Sequence, residues 1–90
     1  MYHKIAGVEV ITIYTKDGCS FCQTAKELMK TKGVSYDEVV VGNDSNGDIK
    51  REEFMRLFPE VKTLPYLMID GRKIGGYAEL IDHLNPKLEN

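Results

Sequence analysis

The chain has 90 residues, of which 42% are hydrophobic and 29% charged, and its formal net charge is −2. This length suits a single domain spanning residues 1–90, and the composition is typical of folded chains rather than disordered ones. The weak net charge gives no reason to expect nucleic acid or an anionic membrane as a partner. No apolar run approaches the roughly 18 residues of a membrane-spanning helix. Residues 1–7 lack the apolar core of a signal peptide and are expected to form a flexible arm, so the chain is expected to be cytoplasmic.

The first three predicted elements are a strand, a helix and a strand. Residues 8–14 are β-branched and almost continuously apolar toward their end, which favours a central strand covered on both faces. Residues 20–32 have helical apolar spacing, and Gly33 is a signal for the end of that helix. Residues 36–41 predict a second strand, which should run parallel to the first because a helix joins them.

A second helix is predicted over residues 48–58. Asp48 is a plausible N-cap because its side-chain oxygen can accept from the first helical amides, and Pro59 cannot continue the helix. Three apolar residues are expected on its buried stripe: Phe54, Leu57 and Phe58.

A hairpin and a final helix complete the predicted fold. The strand at residues 66–69 and a short strand at 73–74 flank Asp70-Gly71, which is a hairpin-turn signal. Residues 77–84 carry apolar side chains at the spacing of an amphipathic helix. The order β-α-β-α-β-β-α predicts an α/β fold, with a four-stranded mixed sheet and helices on both of its faces.

Cys19 and Cys22 are the two cysteines of the chain. They lie at the junction of the first predicted strand and helix, which is the usual context of a redox Cys-x-x-Cys motif. The positive end of the helix favours a thiolate there, and the thiolate is the nucleophile of disulfide exchange. Open α/β sheets also place their chemistry at the carboxyl ends of strands. The pattern therefore indicates thiol–disulfide chemistry.

Other uses of the cysteine pair remain open at this point. Zinc needs four ligands, and only His3 and His83 could complete such a set, at a spacing unlike that of zinc fingers. A structural disulfide closing so short a loop would constrain the unfolded chain very little. No metal site is predicted.

Three motifs resemble those of the glutaredoxin family within the thioredoxin fold. Residues 14–22 read Tyr-Thr-Lys-Asp-Gly-Cys-Ser-Phe-Cys, similar to the family's Tyr-Thr-Lys-x-x-Cys-Pro-Tyr-Cys. Residues 63–65, Thr-Leu-Pro, resemble its Thr-Val-Pro turn, in which the proline is cis and faces the active site. Gly75-Gly76 resembles the Gly-Gly turn before its last helix. The resemblance spans roughly residues 8–84, and the absence of tryptophan argues against thioredoxin proper.

The resemblance implies a role for each cysteine and a co-substrate. Cys19 is expected to be the attacking thiol, with Lys16 favouring its thiolate, and Cys22 the resolving thiol. Glutathione is implied as co-substrate, with no cofactor bound. The residues expected to contact it are Lys16, Phe21, Arg51, Lys62, Thr63, Leu64, Pro65, Gly76, Tyr77 and Ala78.

Individual contacts to glutathione follow from the same resemblance. The cations expected to face its glycine carboxylate are Lys16, Arg51 and Lys62, although Arg51 also fits a simple surface position. The backbone of Leu64 is expected to pair with the cysteinyl unit. The amides of residues 76–77, at the start of the last helix, are expected to receive the γ-glutamyl carboxylate.

The sequence departs from the family pattern at two places. Tyr77 and Ala78 stand where the family usually has Cys or Ser and then Asp, so the carboxylate that would meet the glutamyl amine is missing unless Glu79 replaces it. Ser20 replaces the motif proline. Phe21 is expected to form an apolar wall, although its spacing also fits the buried stripe of the helix.

The sequence thus predicts a monomeric, glutathione-dependent oxidoreductase that reduces protein disulfides and glutathione mixed disulfides. One alternative is a redoxin that donates electrons to ribonucleotide reductase and is recharged by thioredoxin reductase. Another is a carrier of a [2Fe-2S] cluster, because glutaredoxins with serine at the position of Ser20 include such proteins.

Overall fold

The computed structural model describes residues 10–42 and 47–84. The predicted arm at residues 1–7 and the first two residues of the predicted strand at 8–14 lie outside these ranges. Within them, the elements in chain order are β1 (Ile11–Thr15), α1 (Ser20–Thr31), β2 (Asp37–Gly42), β3 (Ile49–Lys50), α2 (Arg51–Leu57), β4 (Tyr66–Ile69), β5 (Arg72–Gly75) and α3 (Tyr77–Leu84). This order matches the predicted one apart from β3.

The strands form one mixed sheet in the order β3-β2-β1-β4-β5. As predicted, β1 pairs in parallel with β2, and β4 and β5 form an antiparallel hairpin. The expected count of four strands is wrong, because the described residues contain a fifth, β3, which pairs in parallel with the end of β2. A strand of two residues is too short to show the alternation by which strands are recognised in a sequence.

The start of α2 also differs from the prediction. The helix begins at Arg51 with Lys50 as N-cap, so Asp48 is not its cap. Asp48 is instead bonded to Val40, whose N–H donates to Asp48 Oδ2 at 3.0 Å, while Asp48 N–H donates to Val40 O at 2.7 Å. The predicted apolar stripe is wrong at Leu57, which is 53% exposed.

Apolar clusters lie on both faces of the sheet, which confirms the predicted placement of helices. The buried residues on the face of α1 and α3 are Ile11, Ile13, Ala25, Met29, Leu67, Ile69 and Leu80. Those on the face of α2 are Val41, Phe54, Phe58 and Tyr66, with Tyr14 packed against them. Because β1 contributes to both clusters, it holds the two helical layers together at the centre of the molecule.

A polar network links three elements at one end of β1. Glu38 Oε2, on β2, accepts from Thr15 Oγ1 at 2.6 Å and from Lys26 Nζ at 2.8 Å. Thr15 is 2% exposed and is the last residue of β1, and Lys26 lies on α1. The hydrogen bonds from Lys26 and then Thr15 hold the pKa of Glu38 below its ordinary value. The network therefore ties the helix that carries the cysteines to both neighbouring strands.

Glu38→Gln should lower the free energy of unfolding by about 0.5–1 kcal/mol near neutral pH, because the pair with Lys26 is partly solvated. The folded-state pKa is lowered, so this contribution is full above the unfolded value of about 4.3 and is lost as the pH falls through the folded value. Urea unfolding of both proteins at neutral and acidic pH measures the difference. Glu27→Gln, at an exposed carboxylate on α1, is the control and should change little. An equal deficit of Glu38→Gln at both pH values would contradict the ionic origin.

Candidate active site

Cys19 is the N-cap of α1 and uses its sulfur as the capping group. Its backbone is extended, and Cys22 N–H donates to Cys19 Sγ at 3.1 Å. The first amides of a helix have no partner within it, so the sulfur satisfies one of them. After reduction, the same amide and the positive end of the helix would stabilise a thiolate on Cys19.

The two cysteines differ in accessibility. They are joined by a disulfide, with their Cα atoms 5.2 Å apart. Cys22 is 1% exposed and belongs to the buried side of α1, whereas Cys19 is only half-buried. A disulfide arriving from solvent therefore meets Cys19 first, which fits the attacking role expected for it.

The turn before β4 brings a second motif to the cysteines. The peptide bond between Leu64 and Pro65 is cis, as the resemblance implies. Leu64 O lies 3.6 Å from Cys19 Sγ. A Cβ atom on Gly76 would lie 3.4 Å from Pro65 O, so the Gly-Gly turn lies directly behind the proline. The three motifs, far apart in sequence, thus meet at one place.

A groove beside Cys19 brings together nearly all of the predicted glutathione contacts. Its lining residues are Lys16, Cys19, Ser20, Phe21, Lys62, Thr63, Leu64, Pro65, Gly76, Tyr77 and Ala78. Arg51 is the exception among the predicted contacts and lines a neighbouring cleft. The two depressions share Lys16 and residues 62–64 as a common wall, so Arg51 lies beside the groove rather than in it.

The groove has an aromatic rim. Phe21 is 60% exposed, so the alternative that it belongs to the buried stripe of the helix is wrong. Its ring centroid lies 5.6 Å from that of Tyr77, with the planes tilted by 39°. This contact joins the first turn of α1 to the first turn of α3.

Glu79 has a role at the start of α3 that the sequence reasoning did not assign. Gly76 N–H donates to Glu79 Oε1 at 2.9 Å, so one of the two amides expected to receive a γ-glutamyl carboxylate is already engaged. The side chain folds back over the turn, where a Cβ on Gly75 would lie 2.8 Å from Glu79 Cγ. A glutamate three residues after the N-cap is the sequence signal of this arrangement.

Within residues 10–42 and 47–84, no group of three or more His, Cys, Asp or Glu side chains is placed to hold a metal ion. None of the helices in the same ranges is long and apolar enough to cross a membrane.

Comparisons with known proteins agree with this geometry. Residues 11–74 match the Glutaredoxin family. Glutaredoxin 3 of Escherichia coli strain K12 is 40% identical over 70 residues, which cover 78% of this chain and 80% of that protein. The hybrid peroxiredoxin hyPrx5 of Haemophilus influenzae is 39% identical over 72 residues, which cover 80% of this chain but 28% of that protein.

A solved structure shows the same fold. Glutaredoxin 1 from Francisella tularensis, complexed with cacodylate, aligns with a TM-score of 0.73 and 25% identity over 87% of this chain and 94% of that one. Fold and site therefore define a thioredoxin-like protein with a paired-cysteine redox site. The chain belongs to the glutaredoxin family, and its fold and cysteine pair support a thiol–disulfide oxidoreductase.

In the reduced folded protein, iodoacetamide should alkylate Cys19 more than about tenfold faster than Cys22 below neutral pH. The reason is that Cys19 lies at the N-terminus of α1 and is accessible to solvent, while Cys22 is buried. Peptide mass spectrometry after timed quenching measures the two rates. The denatured protein is the control, in which the two rates should converge. Comparable rates in the folded protein would contradict the assigned asymmetry.

Proposed function

We propose that this chain is a glutathione-dependent thiol–disulfide oxidoreductase that reduces protein disulfides and glutathione mixed disulfides. The observation that carries the proposal is the position of Cys19, half-buried at the N-terminus of α1, bonded through its sulfur to Cys22 N–H, and open to a groove. Relatives named glutaredoxin support glutathione as the reductant. The proposed location is the cytoplasm, and the proposed state is a monomer.

The reduction of a substrate begins at Cys19. Its thiolate attacks one sulfur of the substrate disulfide, the S–S bond breaks, and the other sulfur leaves as a thiolate that takes a proton from water. Cys22 then loses its proton and attacks Cys19 Sγ. This step releases the second substrate thiol and closes the Cys19–Cys22 disulfide that the structure contains. Two electrons have passed from the protein to the substrate.

Glutathione returns those two electrons. The thiolate of one glutathione attacks the accessible Cys19 Sγ, and Cys22 leaves and takes a proton. A second glutathione attacks the glutathionyl sulfur, which gives glutathione disulfide and restores the thiol of Cys19. A glutathionylated substrate needs Cys19 alone, because its first attack can leave glutathione on Cys19 for the same second step.

The groove offers cations and backbone groups for glutathione. Lys16 and Lys62 are exposed at one end, where they suit the glycine carboxylate, and Arg51 supplies a further cation from the neighbouring cleft. Leu64 presents its backbone next to Cys19. Because Gly76 N–H is bonded to Glu79, the γ-glutamyl carboxylate is proposed to meet the amide of Tyr77 instead.

The two alternatives from the sequence stay predictions. A redoxin serving ribonucleotide reductase would accept electrons from thioredoxin reductase, whereas the proposed enzyme would turn over with glutathione and its reductase. A coupled assay that offers each reductant separately decides between them. A cluster carrier would be purified with visible absorbance that is lost on oxidation.

Cys19→Ser should abolish reduction of every disulfide, because no other residue of the site can supply the attacking thiolate. Cys22→Ser should lose protein-disulfide reduction but keep part of its activity on a glutathionylated peptide, since glutathione can replace the resolving thiol. Both variants are measured in the glutathione-coupled assay with the two substrate types side by side. Substantial turnover of a protein disulfide by Cys22→Ser would rule out its role as the resolving residue.

Ala78→Asp should lower KM for glutathione by a few-fold to about tenfold, with kcat little changed. A charge-assisted hydrogen bond to the glutamyl amine contributes about 1.5–3 kcal/mol at most, and less at an exposed position such as this one. Ala78→Asn has nearly the same shape without the charge and is the matched control. Glutathione titrations at fixed disulfide concentration measure KM for all three proteins. Equal KM values would show that a carboxylate at position 78 does not contact the reductant.

A further inference from the structure

The two ends of the groove beside Cys19 differ in chemistry. One end carries the exposed cations Lys16 and Lys62. The other end carries Phe21, Tyr77 and Ala78, none of which is charged. A ligand bound across Cys19 therefore meets a cationic surface on one side and an apolar surface on the other.

The apolar end is formed by two aromatic side chains that contact each other. Phe21 follows the N-terminus of α1 and is turned away from the core, whereas its neighbour Cys22 is 1% exposed. Tyr77 packs against the core cluster of α1 and α3 and also contacts the Phe21 ring, with the centroids 5.6 Å apart. Tyr77 thus gives the exposed Phe21 ring a neighbour that is itself packed on the core. An aromatic surface held in this way binds a further apolar group with little loss of side-chain freedom.

Glu79 weakens the attraction of this end of the groove for an anion. Glu79 Oε1 accepts from Gly76 N–H at 2.9 Å, so the carboxylate offsets the positive end of α3. Glutathione has glycine and γ-glutamate on either side of its cysteine and therefore has no apolar side chain to place against the two rings. A polypeptide whose cysteine is next to a large apolar residue does have one.

We propose that Phe21 and Tyr77 determine specificity for polypeptide disulfides in which the target cysteine is next to a large aliphatic or aromatic residue. That side chain packs on the two rings while the substrate backbone lies along Leu64, next to Cys19 Sγ. The chemical step is unchanged: Cys19 attacks the substrate sulfur and Cys22 resolves the mixed disulfide. This inference rests on the proposed function and names its substrate class.

Two synthetic peptides test the inference. Each contains one intramolecular disulfide, and they differ only in having Leu or Ser next to one cysteine. Prereduced protein is mixed with each peptide in the absence of glutathione, so that the effect of Phe21 or Tyr77 on glutathione binding does not enter. The release of peptide thiols gives a second-order rate constant for each peptide, and the ratio of the two is the measured selectivity.

The wild-type protein should reduce the Leu peptide about fivefold faster than the Ser peptide, since an open surface discriminates less than the closed pockets that reach tenfold or more. Phe21→Ala and Tyr77→Ala should bring the ratio close to one, and Phe21→Leu should restore part of it. Leu57→Ala removes another exposed apolar side chain, on α2 and outside the groove, and should keep the wild-type ratio.

The outcomes separate the inference from the proposed function. Equal rates for the two peptides in the wild-type protein, or a ratio that Phe21→Ala leaves unchanged, would overturn the inference while the disulfide reductase activity stands. Failure of the reduced wild-type protein to reduce either peptide would overturn both. Because Phe21 is exposed, its replacement should not prevent folding, which circular dichroism checks.

Discussion

The chemistry of this protein depends on one capping interaction, in which Cys22 N–H donates to Cys19 Sγ at 3.1 Å. Helices are usually capped by an oxygen, and here a sulfur takes that place. The same three-residue spacing aims Cys19 at the groove and puts Cys22 on the buried side of α1, at 1% exposure. The difference in exposure between Cys19 and Cys22 therefore follows from where the helix begins.

The sheet brings the rest of the site to that helix terminus. β1 pairs with β4 in antiparallel register, with Tyr14 opposite Tyr66. The chain that leaves β1 toward Cys19 is therefore next to the chain that enters β4 through Leu64 and Pro65. Contacts on both faces of β1 fix this arrangement, because one face packs against α1 and α3 and the other against α2. Residues more than forty positions apart thus meet without any direct pairing between the motifs themselves.

Much of the fold could be predicted because its signals are local. Periodicity identifies the helices, and Asp70-Gly71, both with positive φ, forms the predicted hairpin turn. One of the errors falls where a residue type suits two structures. Asp48 can cap a helix or bond a neighbouring strand, and only the tertiary structure selects the bond to Val40. The groove was predictable only through the resemblance to glutaredoxins, since neither periodicity nor composition relates Lys62 to Tyr77.

The start of α3 shows how moving a carboxylate by one position along the chain changes the groups that the groove presents. The carboxylate that the family usually has at position 78 is absent, and the one at Glu79 is bonded to Gly76 N–H within the protein. The start of α3 therefore presents no carboxylate at position 78, while Tyr77 adds an aromatic surface beside Phe21. For the proposed binding of glutathione, the backbone near Leu64, the amide of Tyr77 and the exposed cations remain. Each exposed cation contributes little in solvent. The same changes do not involve Cys19 and its cap, which lie at the start of α1.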